Sequence, residues 1–99
     1  MSCVVTFTIF PMGKGGEESL SPYVARVIRI VEKSGIPYQL GAMGTVLEGE
    51  FDEIMAVIKK CHDALHEDNS RVYLTMAVDS KAGGEDRMTR KVKSVEERL

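Results

Sequence analysis

Glu48 is a carboxylate in a stretch that otherwise reads as a strand, flanked by Val46, Leu47 and Gly49. A charge is costly to bury without a partner. Either the face carrying it meets water, or something waits there to pair with it. Elsewhere the chain offers hydroxyls at Ser21, Tyr23 and Thr45, an amide at Gln39, a second carboxylate at Asp79 and a turn glycine at Gly44. Carboxylates, an amide and hydroxyls set among apolar residues are the inventory of a site for a small polar or cationic molecule. Each residue also has a plainer use. Glu48 can pair with Arg71 or a lysine across a subunit interface. Ser21 can cap a helix, Tyr23 can pack, Thr45 can open a strand and Asp79 can close one.

Other chemistries fail on spacing. Gly13-Lys14-Gly15-Gly16 is glycine-rich, but its lysine precedes the later glycines and no Ser or Thr follows it. It does not match a phosphate-cradling loop and reads as a connection. His62 and His66 stand at i, i+4, a spacing that can hold a metal. The only further donors close by are Cys61 and Asp63, so the pair reads as a solvated helix face and no metal site is expected. There is no Gly-x-Ser-x-Gly elbow. Cys3 and Cys61 make no framework and read as buried, reduced thiols.

Ninety-nine residues, 43% hydrophobic and 28% charged, suit one globular domain spanning 1–99. A net charge of −2 argues against nucleic acid held by a basic field. Arg71-Val72-Tyr73-Leu74-Thr75 supplies one aromatic and no RNA-binding strand signature. No apolar run approaches the roughly 20 residues of a membrane span. The N-terminal apolar run lacks a basic flank, so a cytoplasmic location is expected.

Alternating periodicities place these residues. Cys3 to Phe10 alternates with period two, Val5, Phe7 and Ile9 against Thr6 and Thr8, and Pro11 ends it. A flexible connection follows to Leu20. Ser21-Pro22 predicts a helix start with Ser21 as the cap, and Val24, Val27, Ile28 and Val31 form its inner stripe. Gly35 and Pro37 stop it. Tyr38–Leu40 and Thr45–Glu48 predict two short strands, with Gly41 and Gly44 bracketing the reversal through positive φ. Asp52 is the expected cap of a second helix running to about Glu67, with Ile54, Ile58, Cys61 and Leu65 inside and Asn69 ending it in a left-handed conformation. Arg71–Asp79 predicts the last strand. Met88, Val92, Val95 and Leu99 then mark a C-terminal helix. The order predicts an α+β, ferredoxin-like βαββαβ antiparallel sheet with an extra C-terminal helix. Two helices would cover one sheet face. The other, carrying Thr6, Thr8, Glu48, Tyr73 and Thr75, is left open unless the last helix covers it, which points to self-association.

At this level the chain resembles the small thiamine-binding-protein family. The matching pieces are Pro11-Met12-Gly13, Ser19-Leu20-Ser21 with Tyr23-Val24, Ser34-Gly35 with Tyr38, Met43-Gly44-Thr45 followed by Glu48-Gly49, Arg71-Val72, and Asp79. Met-Gly-Thr-x-x-Glu-Gly is the most specific of them. The resemblance implies a homo-oligomer, typically a tetramer built by sheet-to-sheet association. It also implies non-catalytic binding of thiamine or its hydroxymethylpyrimidine moiety, with no cofactor. Many relatives have an arginine-rich stretch after the final-strand aspartate. Here it reads Ser80-Lys81-Ala82-Gly83-Gly84, which leaves any anion contact from that loop open. The expected ligand-binding residues are Ser21, Tyr23, Gln39, Gly44, Thr45, Glu48 and Asp79, with Thr45 and Glu48 meeting ligand in a pocket between subunits. The alternatives are a regulatory module sensing amino-acid-type molecules, and a small enzyme with a site between subunits.

Overall fold

The computed structural model describes residues 2–13 and 19–99. Lys14, Gly15 and Gly16 of the glycine-rich stretch lie outside the described residues. The elements run β1 (Ser2–Pro11), α1 (Ser21–Ser34), β2 (Tyr38–Leu40), β3 (Thr45–Gly49), α2 (Phe51–His66), β4 (Val72–Lys81) and α3 (Arg87–Glu96). The strands form one antiparallel sheet in the order β2-β3-β1-β4. This is the expected ferredoxin-like α+β arrangement with its added helix.

The central strand shows why. Cys3, Val5, Phe7 and Ile9 of β1 all point to one face and are buried there. Leu47 of β3 lies opposite Val5 and joins them. Onto this layer α1 sets Val27 and Val31, and α2 sets Ile54, Val57, Ile58, Cys61 and Leu65. Period two on the sheet and period 3.6 on the helices meet in one core. Both cysteines are free thiols within it, and burial pushes the Cys61 thiol up to about 11.

The helix ends differ from expectation in informative ways. Ser21 is the first residue of α1 rather than its cap. Its backbone N–H donates to Ser19 Oγ at 3.2 Å, so the serine two places earlier serves the open end. Likewise Asp52 does not cap α2. The helix begins at Phe51, and Asp52 and Glu53 fall in its first turn, where negative charge complements the dipole. Gly35 does end α1 left-handed, at φ 76°. Asn69 does not end α2 that way: the only non-glycine described residue with positive φ is Asp86. Instead its buried Nδ2 donates to the Leu65 carbonyl at 2.7 Å, closing the last turn with a side chain.

The hairpin glycines are needed for closeness, not for φ. Neither Gly41 nor Gly44 has positive φ. The Gly41 N–H donates to the Gly44 carbonyl at 2.9 Å. A Cβ on Gly41 would meet that same oxygen at 2.8 Å.

Candidate functional site

Strand parity divides the expected site residues between the two sides of the sheet. Thr45 lies opposite Phe7 and Leu47 opposite Val5, so both face the helices. Val46 and Glu48 face the other way, opposite Thr6 and Val4. Thr45 is therefore buried on the helix-covered side and not on the open one. It shares no face with Glu48, three positions on.

On the helix-covered side a cavity of about 320 Å³ opens between the β2–β3 turn and the start of α1. Ser21, Gly44 and Thr45 all line it, against apolar walls that include Phe7, Val24 and Leu40. The turn is fixed from below. Thr8 Oγ1 donates to the Met43 carbonyl at 2.7 Å. A Cβ on Gly44 would lie 2.8 Å from Thr8 Oγ1 and 3.0 Å from the Phe7 carbonyl oxygen. Only a glycine lets β3 start this close to β1. The arrangement offers hydroxyls and turn backbone at the rim of an apolar recess. That can orient a flat, partly polar ring.

On the opposite side α3 lies across one end of the sheet. Its N-terminus is held by Glu48: Oε2 accepts the Arg87 N–H and Oε1 the Met88 N–H, each at 2.8 Å. The mid-strand carboxylate thus has its partner within the chain. It completes two orphan donors and meets the positive end of the helix dipole. Asp79 holds the same helix from β4. Its Oδ2 lies 2.6 Å from both Arg87 Nη2 and Lys91 Nζ. Those hydrogen bonds, from Lys91 and then Arg87, hold its carboxyl below the usual range. A second cavity, of about 370 Å³, lies beneath α3. Gln39 and Asp79 line it with Val4, Val46, Met88 and Val92. Tyr23 lines neither cavity; it packs against the core with the Arg26 guanidinium 5.5 Å from its ring centre.

The sequence pattern thus puts in one list residues from two places, with Tyr23 in neither. Ser21, Gly44 and Thr45 come together; Gln39 and Asp79 come together elsewhere, with Glu48 at the adjoining helix end. It missed Met43 and Leu20, which frame the first cavity, and Arg87 and Lys91, which engage Asp79. The i, i+4 spacing of Arg87 and Lys91 was the available signal. His62 and His66 touch ring to ring, with centres 4.6 Å apart. Among the described residues no group of three or more His, Cys, Asp or Glu is placed to hold a metal.

Fold and site together define a ferredoxin-like domain with a recess at its β2–β3 turn and an added helix anchored to the far face by two carboxylates. The chain belongs to the thiamine-binding protein family, whose model matches residues 5–96. It is similar to a UPF0045 protein of Methanocaldococcus jannaschii, 36% identical over 95% of this chain and 92% of the relative. A UPF0045 protein of Mycobacterium bovis is 40% identical over 100% of this chain and 96% of its own length. Among solved structures, a hypothetical protein of Methanocaldococcus jannaschii superposes with a TM-score of 0.86 at 35% identity, covering 97% of each chain. A Thermotoga maritima protein provisionally assigned to thiamine biosynthesis or salvage superposes with a TM-score of 0.79 at 29% identity, covering 95% of this chain and 99% of its own.

Proposed function

We propose that this protein binds thiamine or its hydroxymethylpyrimidine moiety in the cavity between the β2–β3 turn and the start of α1. It does so without catalysis or a cofactor, as a cytoplasmic homo-oligomer, a tetramer in which bare sheet faces stack. One observation carries the choice of cavity: Ser21, Gly44 and Thr45, three of the residues the family resemblance singled out, line the same recess. The family match and the provisional role of the Thermotoga maritima relative support the ligand class. The aminopyrimidine presents a donor beside ring acceptors, which suits hydroxyls and turn carbonyls over apolar walls. No carboxylate lines this cavity, so the pyrimidine enters it and the cationic thiazolium points outward. Glu48 and Asp79 serve as anchors of α3 in this reading. Support for stacked faces comes from the part of the sheet that α3 leaves bare, where Phe10 and Tyr73 stack with ring centres 5.5 Å apart.

Thermal shift and calorimetry with thiamine, the free pyrimidine and a panel of amino acids test the reading. Ligand at about 100 times its Kd adds about 2.7 kcal/mol of stability. Thr45→Val, which removes one hydroxyl, should weaken thiamine by about 5- to 150-fold, since an unpaired ligand group costs about 1–3 kcal/mol. Unchanged affinity in that variant would show the cavity to be the wrong one. A response to amino acids alone would replace the ligand class.

A further inference from the structure

α2 ends in two histidines one turn apart, His62 and His66, and the structure orients both rings. His66 Nδ1 lies 3.1 Å from the Asn69 carbonyl oxygen. A carbonyl only accepts, so the neutral ring carries its proton on Nδ1 and donates there. His62 Nδ1 lies 3.0 Å from Asp63 Oδ1, and the other oxygen of that carboxylate accepts from Lys59 Nζ at 2.6 Å. An ionised carboxylate also only accepts, so the neutral His62 ring takes the same tautomer. Each Nε2 is left with a lone pair, and among the described residues no hydrogen bond reaches either one. The ring centres are 4.6 Å apart. A metal–Nε2 bond of about 2.0–2.1 Å sets an ion about 3.2 Å from each ring centre, so two rings at right angles around it have centres about 4.5 Å apart. The planes cross at 67°, and a ring is free to twist about its own metal–nitrogen bond, so that angle does not oppose chelation. Water reaches both rings: the His62 side chain is 42% exposed, and His66 is exposed.

We infer that His62 and His66 together chelate a late first-row divalent ion, Cu2+ ahead of Ni2+ and Zn2+, through their Nε2 atoms. Spacing alone left the pair as a solvated helix face, because no third donor stood close by. The structure adds the tautomer. Ligating histidines almost always donate their other ring N–H to a carboxylate, a backbone carbonyl or water, which orients the ring and raises its basicity. Here one ring has the carboxylate of Asp63 and the other the carbonyl of Asn69. Cys61, the neighbour in sequence, is not a further ligand: it is fully buried, with Sγ 3.8 Å from the Val27 carbonyl oxygen. Two protein ligands leave the other positions to water, so the ion exchanges with solvent and is not locked in a closed structural cage. Imidazole suits Cu2+, Ni2+ and Zn2+, whereas Mg2+ and Ca2+ take oxygen ligands, and Cu2+ binds most tightly of the first three. A bound ion ties the last turn of α2 together, next to the Asn69 side chain that closes it. The site stands apart from the proposed function, since no residue of α2 lines either cavity.

Untagged protein, stripped with a chelator, tests this by calorimetric titration with Cu2+ and by passage over immobilised Ni2+. Wild type should bind Cu2+ saturably and be retained on the column. Its Cu2+ complex should show the hyperfine pattern of two imidazole nitrogens by electron paramagnetic resonance. His62→Gln and His66→Gln should each weaken Cu2+ by at least about tenfold, the lower end of the loss when even an outer partner of a metal ligand is removed. The double variant should be little worse than either single one, since a chelate needs both rings. Both side chains lie at the surface, so all three variants should melt like wild type without metal, which keeps lost binding apart from lost fold. The native thiols do not confuse the readout, because Cys3 and Cys61 are buried. Wild type without saturable Cu2+ binding, or a single variant that binds Cu2+ as tightly as wild type, overturns the proposal. Equal affinity for Mg2+ overturns it too, since that would mark a site made of carboxylates.

Discussion

A methyl group on Gly44 has nowhere to go, since it would meet the Thr8 hydroxyl at 2.8 Å and the Phe7 carbonyl oxygen at 3.0 Å. The hydroxyl can rotate away, but the carbonyl belongs to the central strand and cannot. Gly44→Ala should therefore push the start of β3 off β1. The expected loss is about 1–3 kcal/mol, as for other overpacked sites. Urea denaturation would show a lower midpoint at an unchanged slope, and under the proposed function thiamine affinity would fall with it, because Thr45 moves too. Glycine at this turn was legible in the sequence; its purpose was not. The sequence suggested positive φ, whereas the constraint is the approach of a strand 36 positions earlier, which no local pattern encodes. Thr45 tells the opposite lesson. Its three-residue offset from Glu48 already placed the two on opposite faces, because side chains alternate along a strand.

At the scale of the element, α3 is the piece whose existence was readable and whose seat was not. Met88, Val92 and Val95 announced a helix by spacing, although it ends at Glu96 and Leu99 lies beyond it, 97% exposed. Where it lands depends on Glu48 and Asp79, two strands that become neighbours of the helix only through the sheet order. Its attachment is largely polar, and none of its residues is fully buried. Glu48→Ala should strip the N-terminal anchor at a local cost of about 0.5–2 kcal/mol, the range for a lost helix cap. Amides 87–90 should exchange faster by hydrogen–deuterium mass spectrometry, while those of β1 keep their protection. Acid should release the helix as well. The Asp79 carboxyl is held below its ordinary value by Lys91 and Arg87, so the folded state binds fewer protons there than the unfolded one. Its contribution is complete above the ordinary value of about 3.9 and is lost as pH falls through the depressed folded value. Helicity followed by circular dichroism from pH 6 to pH 2 should show a step below about pH 4 that is smaller in Asp79→Asn, where Glu48 is the carboxylate anchor that remains. A step of equal size in both proteins would place the acid-sensitive anchor elsewhere.

For the whole molecule, the distribution of apolar surface leads to a prediction about concentration. The core is complete on one side of the sheet, yet Tyr73, Met76 and Val78 on β4 and Val92 and Val95 on α3 each remain 39% to 59% exposed. The sequence foretold an under-covered sheet, because four strands were matched by only two long helices. It could not foretell that α3 takes one end of that face, leaving the edge strand and the Phe10–Tyr73 end bare. If copies join there, unfolding includes dissociation, and stability follows protein concentration by mass action. Each tenfold dilution of a dimer removes about 1.4 kcal/mol, or about 0.7 kcal/mol per protomer. For a domain of 99 residues that corresponds to a fall in Tm of roughly 3–5 °C per decade. Calorimetry over two decades of concentration, without ligand, checks this directly. A wild-type Tm constant over both decades would mean that the exposed apolar surface is not closed by another copy of the chain.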